Sequence, residues 1–445
     1  MHDDIIVALA TARQEAAISM VRLSGKGCIE FVDNILTSSI ANKPSHTITY
    51  GYIVDEEMGK IDEVLVNIYR APRTFTAEDM VEINCHGGIF VTNKILSLCL
   101  KKGARMAEHG EFTKRAFLNG RIDLAQAESV ADMISAQTDL SSNLALKGIE
   151  GRVSKLIKEL KEQLIQIITQ IEVNIDYPEY EDVEELTAQK LMPMTETFEN
   201  SVKKILRNAQ NGQMIKNGIK TAIVGRPNVG KSSLLNALLE EEKAIVTDIA
   251  GTTRDIIEGQ INLDGLMLRL IDTAGIRETD DVVEKIGVER SLKAAKEAEL
   301  VLLVLDGSQP LTSEDEELLE LTKDMNRIIL INKIDVDNVL DIEGIEISAK
   351  EGNIQPLEDK IIELFEIGNL KVNDEVYLSN NRHIQLMEHC LQSVQKARQA
   401  MEDFIPVDLI VLDLYEAWHD LKEILGQEAK ADLLDELFSR FCIGK

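Results

Sequence analysis

The spacing of apolar and polar positions changes character three times along the chain. Up to residue 118, short apolar runs (Ile5 to Leu9, Ala17 to Leu23, Val64 to Tyr69, Met80 to Ile83) alternate with a helical pattern over Val91 to Leu100. Runs of that length between polar breaks predict an α+β domain over residues 1–118. From Leu118 onward the period is helical. Leu124, Ala127, Ala131 and Ile134 recur every three or four residues, and Val153, Ile157, Leu160, Leu164, Ile167, Ile171 and Ile175 mark one stripe of a long amphipathic helix that Pro178 ends. A further helix, with Val202, Ile205 and Leu206 on its apolar side, leads to Asn217-Gly218. Strand-like runs then follow: Thr221 to Val224, Leu268 to Ile271, Ile328 to Ile331 and Ile345 to Ile347. After Phe365 helical spacing returns, through Leu386, Cys390, Val394, Ala397 and Met401, then Leu409, Leu412, Ala417, Leu421 and Ile424. The simplest architecture is a discontinuous all-α domain, residues 119–213 and 372–445, with an α/β domain of residues 214–371 inserted in it. Insertion costs the host little when the guest's termini lie close together.

The inserted region carries the most specific chemistry. Gly225-Arg226-Pro227-Asn228-Val229-Gly230-Lys231-Ser232 stands between a strand-like run and the helix-like Ser233-Leu234-Leu235-Asn236-Ala237-Leu238. In that context backbone N–H groups converge on an anion, the helix N-terminus adds its dipole, Lys231 reaches the β- and γ-phosphates, and Ser232 offers an oxygen to Mg2+. Asp272-Thr273-Ala274-Gly275 follows a strand, so Asp272 can hold the metal through water and the Gly275 N–H can meet the γ-phosphate. Asn332-Lys333-Ile334-Asp335 places a carboxylate that accepts both the N1–H and N2–H of guanine, a pair adenine lacks. Ser348-Ala349-Lys350 brings backbone N–H groups for the guanine oxygen. Together these stations make GTP the nucleotide and the inserted domain an α/β P-loop domain of the Ras-like kind.

Ras-like enzymes place a water-orienting Gln after the Asp-x-x-Gly turn, and here the residue is Ile276, so another device is required. Charge neutralisation in the position of an arginine finger is worth ~10³–10⁵ in rate, and a bound monovalent cation can supply it. Asn228 offers a side-chain oxygen on the phosphate side; a loop hydrogen bond is its equal alternative. Thr247-Asp248-Ile249-Ala250-Gly251-Thr252-Thr253 is a polar loop with free carbonyls and a candidate Mg2+ hydroxyl at Thr253.

Composition adds boundaries. With 44% apolar and 28% charged residues in 445, the chain has ample material for about three cores. The first apolar run is too short to span a bilayer and follows Asp3-Asp4 where a signal peptide would carry Lys or Arg, so a cytoplasmic protein is expected, with no membrane association. Five cysteines without CxxC pairing indicate neither a disulfide framework nor a zinc site. Lys plus Arg 48 against Asp plus Glu 77 gives −29, which opposes tight unaided binding to RNA. The acidic run Asp176 to Glu185 reads as a solvated loop. Cys85 and His86, before the Gly87-Gly88 turn, read as packed or capping groups.

The strings GRPNVGKSSLLNALL, TDIAGTTRD, DTAGIRE, VEKIG, NKID and SAK, with EINCHGG and GEFTKRAFLNGRIDLAQAE in the first third and a terminal CIGK, resemble the MnmE (TrmE) family of tRNA-modification GTPases along the whole chain. CIGK is the most discriminating piece. The resemblance implies a K+-dependent GTPase whose nucleotide domains dimerise across the active site. K+ would be held by Asn228, Thr247, Ile249 and Thr252, and Mg2+ by Ser232 and Thr253. The nucleotide would contact Asn228, Val229, Gly230, Lys231, Ser232, Ser233, the Thr247–Thr253 loop, Asp272, Thr273, Ala274, Gly275, Asn332, Lys333, Asp335, Ser348, Ala349 and Lys350. Glu284 matches the family's catalytic glutamate, acting beside Lys231 and Asp272.

For the first domain the resemblance implies a tetrahydrofolate-binding-like fold that makes a constitutive homodimer, with Arg22, Glu82, Arg121 and Lys445 contacting 5,10-methylene- or 5-formyl-tetrahydrofolate. A carboxylate suits the pterin edge and basic side chains suit the carboxylates of the folate tail. Two departures fall at its rim: Thr11 to Ala17 replaces a Pro/Gly-rich loop, and Ala77 replaces the usual Gly. The family acts with the flavoprotein MnmG, which binds FAD, as a heterotetramer or larger assembly that installs a carboxymethylaminomethyl or aminomethyl group on C5 of the wobble uridine of tRNA. Acidity fits leaving most tRNA contact to that partner, with Lys101, Lys102, Arg105, Lys114 and Arg115 as a local exception or a solvated face. Cys442 is a candidate tail thiol; packing beside Phe441 is its plainer reading. Two alternatives stand: an Era/Der-like ribosome-assembly switch, and a folate-dependent aminomethyltransferase with a merely regulatory GTPase.

Overall fold

In the computed structural model the described residues are 4–176, 188–240, 259–271, 293–336, 338–365, 367 and 376–445. The chain forms two compact units: Met1–Ala131, Ile149–Glu162 and Trp418–Lys445 in the first, Asp132–Gly148 and Gln163–Ala417 in the second.

The first unit is built on a six-stranded sheet: β1 (Ile6–Leu9), β2 (Ile18–Ser24), β3 (Thr47–Asp55), β4 (Gly59–Tyr69), β5 (Met80–His86) and β6 (Arg105–Met106), in the order β3-β4-β5-β2-β1-β6. All neighbours are antiparallel except β1 and β6. One face packs Val7, Val21, Leu23, Val66 and Ile83 against α1 (Cys28–Asp33) and α2 (Ile89–Lys101), which bury Cys28, Ile29, Ile95 and Cys99. Alternation along each strand puts the next residues on the other face. There Arg22 on β2, Glu82 on β5 and Asn67 on β4 lie in direct register. The helix α3 (Glu111–Leu118) follows, then α4 (Leu124–Ser135), and Leu124 and Ala127 pack with Leu434, Phe438 and Phe441.

In the second unit a sheet of β7 (Ile219–Val224), β8 (Gly259–Leu263), β9 (Leu266–Leu270), β10 (Leu300–Asp306), β11 (Arg327–Asn332) and β12 (Ile345–Ile347) is ordered β12-β11-β10-β7-β9-β8, parallel except for the antiparallel edge strand β8. β10 is buried throughout because it feeds two cores. Leu300, Leu302 and Val304 join one, and Val301, Leu303 and Leu305 the other. A strand covered on both faces reads as a continuous apolar run, the mark of the α/β class.

After α5 (Asp139–Ile149), the long helices are α6 (Arg152–Asp176), α7 (Ala188–Asn217) and, beyond the sheet in sequence, Asn381–Glu402 and Val407–Ile424. Ile157, Leu160, Leu164, Ile167 and Ile171 are buried as their stripe predicts, whereas Ile134 and Ile175 are exposed. Val407–Ile424 departs in phase: Leu409 and Leu412 are 55% and 61% exposed, and Ile410, Leu414, Ala417, Leu421 and Ile424 are buried. Leu409-Ile410-Val411-Leu412 has no polar residue to fix which side faces inward, so only packing sets it.

Candidate functional site

β7 delivers the chain into the loop before α8 (Lys231–Glu240). Close packing forces glycine at two positions. A Cβ on Gly225 would meet the Val304 carbonyl oxygen at 2.5 Å, and one on Gly230, at φ 102°, would meet Asn332 Nδ2 at 2.2 Å. Asn228 sits in the left-handed region at φ 64°, which Asn tolerates better than most residues. It is exposed, as are Ser232 and Ser233 in the first turn of α8. Val229 is fully buried. Lys231 Nζ donates to the carbonyl oxygens of Gly225 at 2.5 Å and Arg226 at 2.8 Å, and burial pushes its ammonium down to about 8. An approaching anion would raise it again.

One buried side chain ties the separate stretches together. Asn332, at the end of β11, donates from Nδ2 to the Val229 carbonyl at 2.8 Å and accepts at Oδ1 from the Ala349 N–H at 3.0 Å. Ser348 Oγ donates to Asp335 Oδ1 at 2.8 Å, which orients that exposed carboxylate. Lys333, at φ 69°, places Nζ 2.6 Å from Asp306 Oδ2. Asn332, Lys333, Asp335, Ser348 and Ala349 are thus brought to the glycine loop, and Lys350 stands exposed beside them.

Asp306, Asp315 and Arg226 escaped the sequence reading. Burial would raise the Asp306 carboxyl, but hydrogen bonds from Lys333 and Ser308 outweigh it and hold the group below the usual carboxylate range. Arg226 Nε reaches Asp315 Oδ2 at 3.1 Å, and Asp315 completes a capping box with Thr312. The available signal was a single carboxylate closing the apolar run Leu300 to Leu305. The Thr247, Asp248, Ile249, Ala250, Gly251, Thr252 and Thr253 loop, the Asp272, Thr273, Ala274, Gly275 turn and Glu284 lie outside the described residues.

A second polar cluster sits in the first unit. Glu82 is buried and accepts from Arg22 Nε at 3.0 Å and Nη2 at 2.8 Å on one oxygen, and from Tyr69 OH at 3.1 Å and Asn67 Nδ2 at 3.3 Å on the other. Arg22 Nη1 donates to the Gly444 carbonyl at 3.1 Å, and its guanidinium lies 5.8 Å from the Phe112 ring centroid. Arg121 stacks on Phe75 at 5.1 Å and donates to its carbonyl. Phe75, Phe112 and Tyr69 share one apolar cluster. Arg22 and Glu82 therefore meet directly, Lys445 is joined through the tail, and Arg121 approaches by way of Phe75. Ala77 adopts φ 62°, the left-handed backbone a glycine takes without strain.

Each of the five basic residues read as a local RNA-facing exception or a solvated face has a carboxylate partner. Lys101 pairs with Glu57, Lys102 with Glu56, Lys114 with Asp435, and Arg105 and Arg115 share Asp4 and Glu111. Arg115 is 2% exposed, so it is neither a patch nor a solvated face. Cys85 is buried with its thiol pushed up by burial, and His86 pairs with Asp62 at 2.7 Å, in keeping with packed or capping roles. Of the five cysteines only Cys442 is exposed. Among the described residues no helix is long and apolar enough to cross a membrane.

The strand, glycine loop and helix, with guanine-selective stretches locked against the loop through Asn332, define the class: a P-loop GTPase, which uses GTP and Mg2+. The family model described as "GTP-binding protein TrmE N-terminus" matches residues 5–121, and "MnmE helical domain" matches residues 124–442. The chain is 53% identical over 449 residues to the tRNA modification GTPase MnmE of Lactococcus lactis subsp. cremoris, covering 99% of this chain and 98% of that one. It is 52% identical over 451 residues to the protein of the same name from Streptococcus pneumoniae, covering 99% of each. The solved structure of Aquifex aeolicus Era bound to GDP.AlF4- is 27% identical, covering 39% of this chain and 65% of that one, with a TM-score of 0.25. This chain belongs to the MnmE (TrmE) family of tRNA modification GTPases. The Era-like alternative is set aside, since the MnmE relatives match end to end.

Proposed function

We propose that the protein is the K+-activated GTPase component of a cytoplasmic complex that installs a carboxymethylaminomethyl or aminomethyl group on C5 of wobble uridine in tRNA. The flavoprotein MnmG is its partner, with FAD on that partner, and a tetrahydrofolate donates the carbon. The chain acts as a homodimer, with residues 1–118, 119–213 plus 372–445, and 214–371 as its working domains. The end-to-end match to MnmE relatives is the observation that supports this reading most.

In the nucleotide domain, the N–H groups of the loop and Lys231 take the phosphates, Asp335 takes the guanine edge with Ser348 holding it in place, and Ala349 and Lys350 border the base. Lys231 exchanges the Gly225 and Arg226 carbonyls for phosphate oxygens. Ser232 and Thr253 carry hard hydroxyl oxygens suited to Mg2+, and Asn228, Thr247, Ile249 and Thr252 supply neutral oxygens suited to K+. Exposed Asn228 and Ser232, on the loop and the first turn of α8, fit those assignments. The cations supply positive charge against the charge that develops on the phosphates. Asp272 and the Gly275 N–H border the γ-phosphate, and Glu284 orients the attacking water from outside that turn.

In the first unit, a buried carboxylate fed by an arginine beside Tyr69, Phe75 and Phe112 fits a flat heteroaromatic ring with a donor edge. Glu82 would take the pterin, and Arg22, Arg121 and Lys445 the acidic tail. A folate bound there supplies a one-carbon unit. The test of the nucleotide half is GTP turnover by the purified chain in K+ and in Na+. Turnover on the order of tenfold or more higher in K+ is expected, with Glu284→Ala slow in both; equal rates in the two salts would overturn it.

A further inference from the structure

The last five residues run along one turn of the first unit. The turn 108–112, which leads from β6 into the first residues of α3, meets them with three backbone or ring contacts. His109 Nδ1 lies 2.9 Å from the Phe441 carbonyl oxygen, the Gly110 N–H donates to Cys442 O at 3.4 Å, and the Phe112 N–H donates to Lys445 O at 3.2 Å. His109 and Ile443 form an antiparallel bridge. The fit is close. Gly110 has φ 65°, and a Cβ there would meet the Phe438 carbonyl oxygen at 2.7 Å and Phe441 Cβ at 2.9 Å. On the far side, a Cβ on Gly444, at φ 93°, would meet Leu9 O at 2.6 Å. Phe438 and Phe441 anchor the approach among Leu124, Ala127 and Leu434. The tail then hands the Gly444 carbonyl to Arg22, the residue that also grips Glu82.

We propose that the turn 108–112 is a latch for the C-terminal tail, with His109 and Gly110 as positioning residues that hold Gly444 against Arg22 and so set the Arg22–Glu82 pocket. A loose tail would leave Arg22 with one anchor fewer. The His109 role requires the tautomer with hydrogen on Nδ1, so that the ring donates to the Phe441 carbonyl. Asn carries an amide nitrogen near that place, and His109→Asn retains the donor where His109→Ala removes it. The link to folate rests on the reading proposed above for Arg22 and Glu82; the latch itself does not.

Two measurements on the full chain separate these. Hydrogen exchange of the Gly110 and Phe112 amides, followed without folate, reads the latch directly. Loss of one hydrogen bond of ordinary worth corresponds to about fivefold. His109→Ala is expected to speed exchange by about that factor, Gly110→Ala by more, and His109→Asn to return it toward wild type. Equilibrium binding of 5-formyl-tetrahydrofolate should weaken about fivefold in His109→Ala and recover in His109→Asn, while GTP turnover stays at the wild-type rate in both. Unchanged exchange in His109→Ala overturns the latch. Faster exchange with unchanged folate affinity overturns the positioning of Arg22. A wild-type chain that binds no folate removes the folate reading and leaves the exchange result to decide the latch.

Discussion

On the function proposed above, the nucleotide site and the Arg22–Glu82 cluster solve the same problem, holding polar groups ready for a ligand, in opposite ways. At the nucleotide site a neutral amide, Asn332, bonds only to backbone groups of the loop and of Ala349, so the scaffold is fixed while Lys231, Asn228 and Asp335 keep their ligand-facing chemistry. In the first unit the scaffold and the ligand-facing groups are the same atoms. Arg22 and Glu82 neutralise each other, and Tyr69, Asn67 and the tail complete the set. The first arrangement keeps its Asn332 scaffold intact while Lys231 exchanges the Gly225 and Arg226 carbonyls for phosphate. The second would have to exchange bonds of the scaffold itself, so its occupancy should depend on how firmly its edges are held.

The contrast predicts separable failures. Lys231→Ala removes a cation aimed at developing phosphate charge and should lower GTP turnover about 10²–10³-fold, with 5-formyl-tetrahydrofolate binding unchanged; a parallel loss of folate affinity would mean the two sites are one unit. Arg22→Ala leaves Glu82 buried without its cation and should destabilise the first unit by about 3 kcal/mol in denaturant unfolding. Full stability there would show that Tyr69 and Asn67 suffice. Asn332→Ala should weaken GDP binding by about 2 kcal/mol, roughly thirtyfold, by freeing Val229 and Ala349 from each other; unaltered affinity would show that the loop needs no such tie.

Two smaller effects sharpen the picture of the first unit. Burial would raise the carboxyls of Asp4 and Glu111, but Arg105 and Arg115 hold both below the usual range. Each therefore adds stability that is complete above its unfolded value, about 4, and disappears as pH falls through the lowered native value. The melting temperature of the first unit should be level from about pH 7 to 5 and fall below about 4, and Glu111→Gln should flatten that fall. Ala77→Gly, at φ 62°, should stabilise by about 0.5–1 kcal/mol, left-handed strain relieved outweighing the added freedom of the unfolded chain.

The same contrast explains what could be read from the residues alone. Loop, strand and helix at Gly225 to Ser232 are contiguous, so spacing exposes them. The Arg22–Glu82 cluster draws on β2, β4, β5 and a tail more than 400 residues away, and no local pattern announces it; only likeness to a family pointed there. No apolar run announces β3, because its buried face carries Thr49 and Gly51 while Ile48 and Tyr50 face outward. The phase of Leu409 to Leu412 and the burial of Arg115 depend on what lies across the packing interface. Charge alone left a patch and a solvated face equally open, and only packing buries Arg115 among carboxylates.

The central claim is that GTP hydrolysis in one unit serves chemistry on tRNA. Mass analysis of wobble nucleosides from cells lacking this protein, complemented with the wild-type chain or with Lys231→Ala, tests it most directly. The account predicts C5-modified uridine restored by the wild type and absent with Lys231→Ala, although that variant is made in full and still binds folate. Modified uridine at wild-type levels in the Lys231→Ala strain would contradict it.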